Sequence, residues 1–252
     1  MITTLQLNKF HGSQQVLHDV DLNLPEQGMT SIIGPNGAGK STLLSIISRL
    51  ASATSGVVQI DGKAINEWDS EQLATRLAIL RQDNHLSLRL TVRDLVAFGR
   101  YPYTKGHPTI NDKAHIDRAL QYLDLCPLKD RYLDELSGGQ RQRAFIAMVL
   151  CQDTHYVLLD EPLNSLDMKH AVVMMQTLRR AADDLGKAVI MVLHDINFAA
   201  NYSDCIIAMR QGRVAYTGTP DQIITESVLS DLYDLPIKVH TLENQRICTF
   251  YR

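Results

Sequence analysis

Three stretches of the 252-residue chain place side chains where they can handle a nucleoside triphosphate. Gly34-Pro35-Asn36-Gly37-Ala38-Gly39-Lys40-Ser41-Thr42 fits the pattern G-x-x-x-x-G-K-[ST], follows the apolar run Met29–Ile33 and opens a helical pattern. Glycines let such a loop curl until several backbone N–H groups point inward at phosphate oxygens, and the helix that begins there adds the positive end of its dipole. Lys40 supplies a mobile positive charge for the β- and γ-phosphates, and the Ser41 hydroxyl is a hard oxygen ligand for Mg²⁺. A Gly-rich turn that binds nothing has no use for the Lys-Ser pair in this strand–loop–helix setting.

The second stretch, Tyr156-Val157-Leu158-Leu159-Asp160-Glu161-Pro162, is an apolar strand ending in two acids. Acids at the end of a buried strand are costly without a partner or a task. Asp160 would hold Mg²⁺ through water, and Glu161, one residue on, would polarise the attacking water. The third is Leu136-Ser137-Gly138-Gly139-Gln140-Arg141-Gln142-Arg143. Ser137 can cap a helix whose first turn holds both glycines, which makes another phosphate-sized nest of N–H groups. Taken alone, an ordinary capped helix with a basic exposed face fits it equally well. One nucleotide hardly needs two nests from one chain, so the second nest points to a second subunit.

An alternation of strands and helices must carry these residues. Val16, Val20, Leu22 and Leu24 alternate loosely, and Val57–Ile60 is a strand closed by the hairpin signal Asp61-Gly62. A helix is expected from Lys40 to about Leu50. From Asn84 to Cys151 the character turns helical: Thr91-Val92-Arg93-Asp94 is a capping signal, Gly99 a helix end, 101–108 a loop, and Asp112–Leu123 a helix. Beyond His155 strands return at Tyr156–Leu159, Ala188–Leu193, Cys205–Met209 and Val214–Thr217, with a Met-bearing core stripe from Met168 to Leu185 between the first two.

Composition narrows the field. The hydrophobic fraction is 45%, enough for a buried core, and the net charge of −3 offers no global basic field for nucleic acid. The longest apolar run, Ala144–Cys151, falls well below the roughly 20 residues of a membrane-spanning helix. The N-terminus does not read as a secretory signal. Cys126, Cys151, Cys205 and Cys248 are too scattered for a zinc site and fit reduced thiols.

Together the three stretches resemble, in order and spacing, the ATP-binding cassette (ABC) ATPases, whose LSGGQ signature matches Leu136–Gln140. The resemblance covers essentially the whole chain. Gln82, after Ala78-Ile79-Leu80-Arg81, matches the Q-loop glutamine, Ser165-Leu166-Asp167 the D-loop, and His194 the switch histidine, although alone His194 reads as an ordinary strand-end histidine. The resemblance implies an α/β fold: a mixed-sheet core of the phosphate-loop NTPase type with an N-terminal antiparallel β subdomain and an inserted α-helical subdomain. The implied division is 1–83 with 152–230 as the nucleotide core, 84–151 as the helical subdomain carrying the signature, and 231–252 as an extension.

It also implies roles. Two cassettes pack head to tail, so Ser137, Gly139 and Gln140 contact the ATP bound by a partner subunit, while Gly34, Asn36, Gly37, Ala38, Gly39, Lys40, Ser41 and Thr42 hold the chain's own ATP. Gln82 completes the Mg²⁺ shell with Ser41 and Asp160 and senses the membrane subunit; Glu161 and His194 serve hydrolysis with Lys40; Asp167 ties the two sites together. The family stacks an aromatic residue, most often Tyr, on adenine; here Lys9-Phe10-His11-Gly12 puts His11 at that position with Phe10 beside it, and either ring can stack.

Val92 to Tyr103, including Gly99-Arg100-Tyr101-Pro102, looks like the importers of iron–siderophore chelates, haem and vitamin B12, and 160–167 and 229–239 are similar to the ferric-chelate members. The expectation is an importer ATPase for a ferric siderophore, peripheral at the cytoplasmic face of the inner membrane. Its partners are two polytopic permease subunits and, indirectly, a periplasmic or surface substrate-binding protein, with no nucleic acid. A haem or vitamin B12 importer, or a soluble cassette ATPase acting on another assembly, stays open. A groove around Asn84 to Tyr103 that receives a helix of the permease distinguishes transport from the soluble alternative.

Overall fold

Alternating burial at Ile2, Thr4 and Leu7, and at Val20, Leu22 and Leu24, folds the first stretch into a hairpin. β1 (Ile2–His11) and β2 (Gln14–Leu24) pair antiparallel in the computed structural model, which describes residues 1–82, 88–164 and 166–251. The chain divides into unit 1, Met1–Trp68 with Ala188–Arg252, and unit 2, Asp69–Lys187. In unit 1, β3 (Gly28–Ile33) is buried from Met29 onward, and α1 (Lys40–Ile47) leaves the loop that follows it. This helix stops short of the expected Leu50 because Arg49 turns left-handed at φ 60. β4 (Ser55–Ile60) joins β1 and β5 (Lys63–Ala64) joins β4, giving an antiparallel sheet in the order β2-β1-β4-β5. Asp61 and Gly62 both take positive φ, as a two-residue hairpin turn requires.

Unit 2 holds α2 (Ser70–Ala74), β6 (Leu77–Leu80), α3 (Val92–Phe98), α4 (Tyr101–Thr104), α5 (Ile110–Tyr122), α6 (Gly138–Cys151), β7 (Tyr156–Asp160) and α7 (Met168–Leu185). β6 and β7 run parallel, with Leu80 opposite Leu159. α3, α5 and α6 pack on one another through buried Val92, Leu95, Ile116, Leu120, Phe145 and Ile146. The expected cap at Thr91 forms, with the Asp94 N–H donating to Thr91 Oγ1 at 3.1 Å. Gly99 does follow α3, but not through a left-handed turn: its φ is −57, and a Cβ there would lie 2.2 Å from the Met148 carbonyl oxygen. Glycine is needed there so that α3 can close onto α6. The stretch expected as a loop opens as α4, since Pro102 sits in the first helical turn, where no N–H is needed.

The chain returns to unit 1 with β8 (Ala188–Val192), α8 (Ile196–Tyr202), β9 (Cys205–Arg210), β10 (Arg213–Gly218), α9 (Pro220–Ile223), α10 (Glu226–Tyr233), β11 (Lys238–Leu242) and β12 (Gln245–Thr249). β3 takes β8 on one side and β9 on the other, both parallel, and β10 lies antiparallel on β9. The β11–β12 hairpin is clipped to α8 by two side-chain amides one helical turn apart. Asn197 Oδ1 accepts from the Cys248 N–H at 2.7 Å, and Asn201 both accepts from the Arg246 N–H at 3.1 Å and donates to its carbonyl at 2.9 Å. The four cysteines are free thiols, and burial pushes Cys151 up to about 12. Among the described residues no helix is long and apolar enough to cross a membrane.

Inside unit 2 an ion pair organises the region after α3. Arg100 and Asp112, each only 5% exposed, meet with Arg100 Nε donating to Asp112 Oδ1 at 2.9 Å, and the guanidinium also donates to the Cys151 carbonyl at 3.0 Å. The other carboxylate oxygen accepts from the Thr109 hydroxyl and N–H, and these bonds, helped by Arg100, hold the Asp112 carboxyl down to about 2 against an ordinary 3.8. Removing one partner strands the other charge, so Asp112→Ala is expected to cost about 3 kcal/mol in thermal or denaturant unfolding. Because the folded-state pKa is depressed, this contribution is complete above the ordinary carboxylate pKa and is lost as pH falls from about 4 to about 2; the variant should lack that acid-dependent loss.

Candidate functional site

The phosphate loop of unit 1 is held from behind by its own strand neighbours. Gly34 has φ +141 and a Cβ there would meet the Met209 carbonyl at 2.0 Å, so only glycine lets the loop leave β3 this close to β9. The Gly212 N–H donates to the Ala38 carbonyl at 3.1 Å and the Gly212 carbonyl accepts from the His18 N–H at 2.9 Å, which pins the loop to the β9–β10 turn and to β2. Lys40 is 5% exposed, and its Nζ donates to the carbonyls of Gly34 at 2.8 Å and Pro35 at 2.9 Å. The loop thus keeps the charge of Lys40 inside its own curve. Asn36 and Gly37 are exposed at the tip, Ala38 and Gly39 are buried, and Ser41 and Thr42 are half-buried on the first turn of α1.

His194 lies, exposed, just beyond β8, where the Leu193 N–H still bonds the Ile32 carbonyl at 3.1 Å. Asp195 follows as the N-cap of α8, its carboxylate accepting from the Asn197 N–H at 2.7 Å. Phe10 and His11 occupy the end of β1, opposite Gln15 and Gln14. Both rings are exposed, and as successive strand residues they stand on opposite faces.

In unit 2, Asp160 closes β7 at 8% exposure and Glu161 follows with φ +52. A left-handed non-glycine residue costs about 1 kcal/mol, and the following Pro162 restricts it further. The neighbours over-determine the conformation. Glu161 Oε2 accepts from Gln82 Nε2 at 2.8 Å and also from Asn164 Nδ2, while the Asn164 N–H donates to the Glu161 carbonyl at 3.2 Å. The structure therefore brings Gln82 and Glu161 into contact. Ser137 caps α6 as expected: its Oγ accepts from the Gln140 N–H at 3.3 Å, and Gln140 Oε1 accepts from the Ser137 N–H at 3.1 Å. Gly139 sits in that first turn, near Leu166. Asp167 caps α7, and hydrogen bonds from the His170 N–H and ring nitrogen hold its carboxyl below the ordinary carboxylate range. Ser165 of the D-loop stretch and the Asn84 end of the expected groove lie outside the described residues.

Sequence reasoning assigned no task to Gly212, Gln142 or Asn164. Gly212 stands remote in sequence from the loop it pins, and Gln142 reaches across unit 2 to the Pro162 carbonyl at 3.0 Å. Asn164 carried a local signal, three residues after Glu161 in a turn.

This fold, with a phosphate-binding loop after a central parallel strand, defines a nucleoside triphosphatase of the phosphate-loop class. The family model described as "ABC transporter" matches residues 17–164, and the chain belongs to that family. It is 50% identical over 251 residues to the petrobactin import ATP-binding protein YclP of Bacillus subtilis, covering 100% of both chains. It is 36% identical to the iron(3+)-hydroxamate import ATP-binding protein FhuC of the same organism, over 99% of this chain and 94% of that one. Among solved structures, a dimeric post-hydrolysis state of the ATP-binding cassette MJ0796 bound to ADP and Pi aligns with a TM-score of 0.77 at 31% identity, covering 87% of this chain and 99% of that one. The chain is an ATP hydrolase.

Since Phe10 and His11 point to opposite faces of β1, only one can stack on adenine. One of Phe10→Ala and His11→Ala is expected to raise the ATP dissociation constant several-fold in a titration while the other leaves it unchanged. Unchanged binding in both variants removes the stacking role from this stretch.

Proposed function

We propose that this chain is the ATP-hydrolysing subunit of an importer that carries a ferric siderophore across a membrane. The observation that carries the cargo reading is the 50% identity to a petrobactin import ATP-binding protein across the full length of both chains. The chain works as a homodimer packed head to tail, in which Ser137, Gly139 and Gln140 of one subunit complete the ATP site formed by Gly34–Thr42 of the other. Asp167 links the two sites. A dimeric arrangement in a related cassette supports this reading.

Within each site, Lys40 neutralises phosphate charge, Glu161 orients the attacking water and accepts its proton, and His194 steadies the γ-phosphate. Ser41, Asp160 and Gln82 offer a hydroxyl, a carboxylate and an amide oxygen, the hard donors that Mg²⁺ takes. Bound Mg²⁺ supplies charge neutralisation on the β- and γ-phosphates. The nucleotide core comprises 1–83 and 152–230, the segment 84–151 couples it to the membrane partners, and 231–252 is an extension. Support for that coupling lies in unit 2, where Leu88, Phe98, Tyr101, Tyr103 and Ile110 are exposed, Ile110 at 87%. Large apolar side chains left exposed along one stretch of chain suit a partner surface. Those partners are two polytopic permease subunits fed by a periplasmic or surface substrate-binding protein, which puts the chain at the cytoplasmic face of the inner membrane.

Glu161→Gln retains the shape and hydrogen bonding of the side chain but removes its charge. It is expected to bind ATP normally, to slow hydrolysis at least about a hundredfold, and to trap a dimer visible by size-exclusion chromatography with ATP. Near-normal turnover would falsify the role of Glu161. For the cargo, the complex reconstituted with its permease is expected to raise its ATPase rate when a binding protein loaded with a ferric siderophore is supplied. Stimulation by haem or cobalamin alone, or a stable complex lacking any membrane protein, overturns the siderophore reading.

A further inference from the structure

Glu161 is the one proposed catalytic group of unit 2 with a left-handed backbone, and two side chains outside the assigned machinery hold it there. Asn164 grips it twice, through its N–H on the Glu161 carbonyl and through Nδ2 on Glu161 Oε2. Gln142 grips the next residue, donating from Nε2 to the Pro162 carbonyl at 3.0 Å. These bonds divide the work. Pro162 has no N–H and a fixed φ, so once its carbonyl is anchored, only its ψ is left to turn the peptide that joins it to Glu161. Asn164 then fixes the direction of the carboxylate.

Gln142 also belongs to a rigid element. It lies on α6 two residues beyond Gln140, in the helix whose first turn is closed by the reciprocal Ser137–Gln140 cap. Any shift or rotation of that N-terminal turn therefore moves the Gln142 amide against the Pro162 carbonyl.

We propose that Gln142 and Asn164 are positioning residues for Glu161, and that Gln142 relays the state of the α6 N-terminus to the catalytic carboxylate of its own subunit. The proposal rests on the dimer reading above, in which that N-terminus contacts ATP held by the partner. ATP bound at one site then sets the aim of Glu161 at the other, through a single helix and one hydrogen bond. Asn164 takes no part in the relay; it holds the carboxylate whatever the partner binds.

The test uses the full-length chain and separates binding, turnover and cooperativity. Gln142→Met and Asn164→Leu keep side-chain bulk but remove the amide donors. Both are expected to lower kcat about tenfold, because a water held off its line of attack by a misplaced base loses rate steeply, while binding of a fluorescent ATP analogue stays within about twofold of the unmodified chain. Gln142→Met should in addition bring the Hill coefficient for ATP hydrolysis toward one, and Asn164→Leu should leave it unchanged. If Gln142→Met does not fold, Gln142→Asn, one methylene short of the Pro162 carbonyl, carries the same test. Turnover within about twofold of the unmodified chain in both variants, a loss of ATP binding that matches the loss of turnover, or full cooperativity without the Gln142 amide overturns the proposal. Glu161→Gln is assayed alongside: a severe loss there with no effect of Gln142 or Asn164 discards this inference alone, whereas normal turnover in Glu161→Gln discards the role of Glu161 on which it rests.

Discussion

In-register pairing of parallel strands is the constraint on which both groups of candidate site residues depend. In unit 1, Ile32 of β3 lies opposite Val192 of β8, so two residues further on the chains deliver Gly34 and His194 at the same level. In unit 2, Leu80 of β6 lies opposite Leu159 of β7, and the same offset of two delivers Gln82 and Glu161, whose side chains bond. A slip of one residue in either pair would turn buried side chains outward and separate the partners. The apolar runs in these strands thus fix the register of the candidate site residues as well as forming a core.

Beside this register the backbone departs from ordinary geometry at two of the candidate site residues. Gly34 accepts a conformation closed to other residues, while Glu161 accepts an unfavourable one and is compensated by amide donors. The helices of unit 2 are stabilised differently, by reciprocal caps at Thr91, Thr109 and Ser137 and by the Arg100–Asp112 pair. Arg100 belongs to the Gly-Arg-Tyr-Pro stretch that marked the importer branch. Its buried contacts give it a structural task in joining the start of α4 to α5 and to the end of α6.

What could be read from the sequence was local. The phosphate loop, the Asp61-Gly62 turn and the caps at Thr91 and Ser137 are each written in a few consecutive residues whose side chains satisfy their own backbone. What escaped depended on distant approach. Gly99 looked like a helix terminator, yet its lack of a side chain serves Met148 in α6. Helix α4 was hidden because a Tyr-Pro-Tyr stretch reads as a loop unless proline is allowed in a first turn. Gln142 carried no sign of its bond to Pro162, since twenty residues separate them and no periodicity spans the gap.

Unit 1 is assembled from both ends of the chain, whereas unit 2 is continuous. β3 carries the phosphate loop, but both of its neighbours, β8 and β9, come from beyond residue 187. During vectorial synthesis the loop therefore emerges early and waits without a sheet on either side, while unit 2 has all of its sequence available to fold first. Only once β8, β9 and the turn after them have been made does β3 gain its flanks and Gly212 reach the loop. The loop is thus made long before the strands that back it, and its support waits on chain that follows the whole of unit 2.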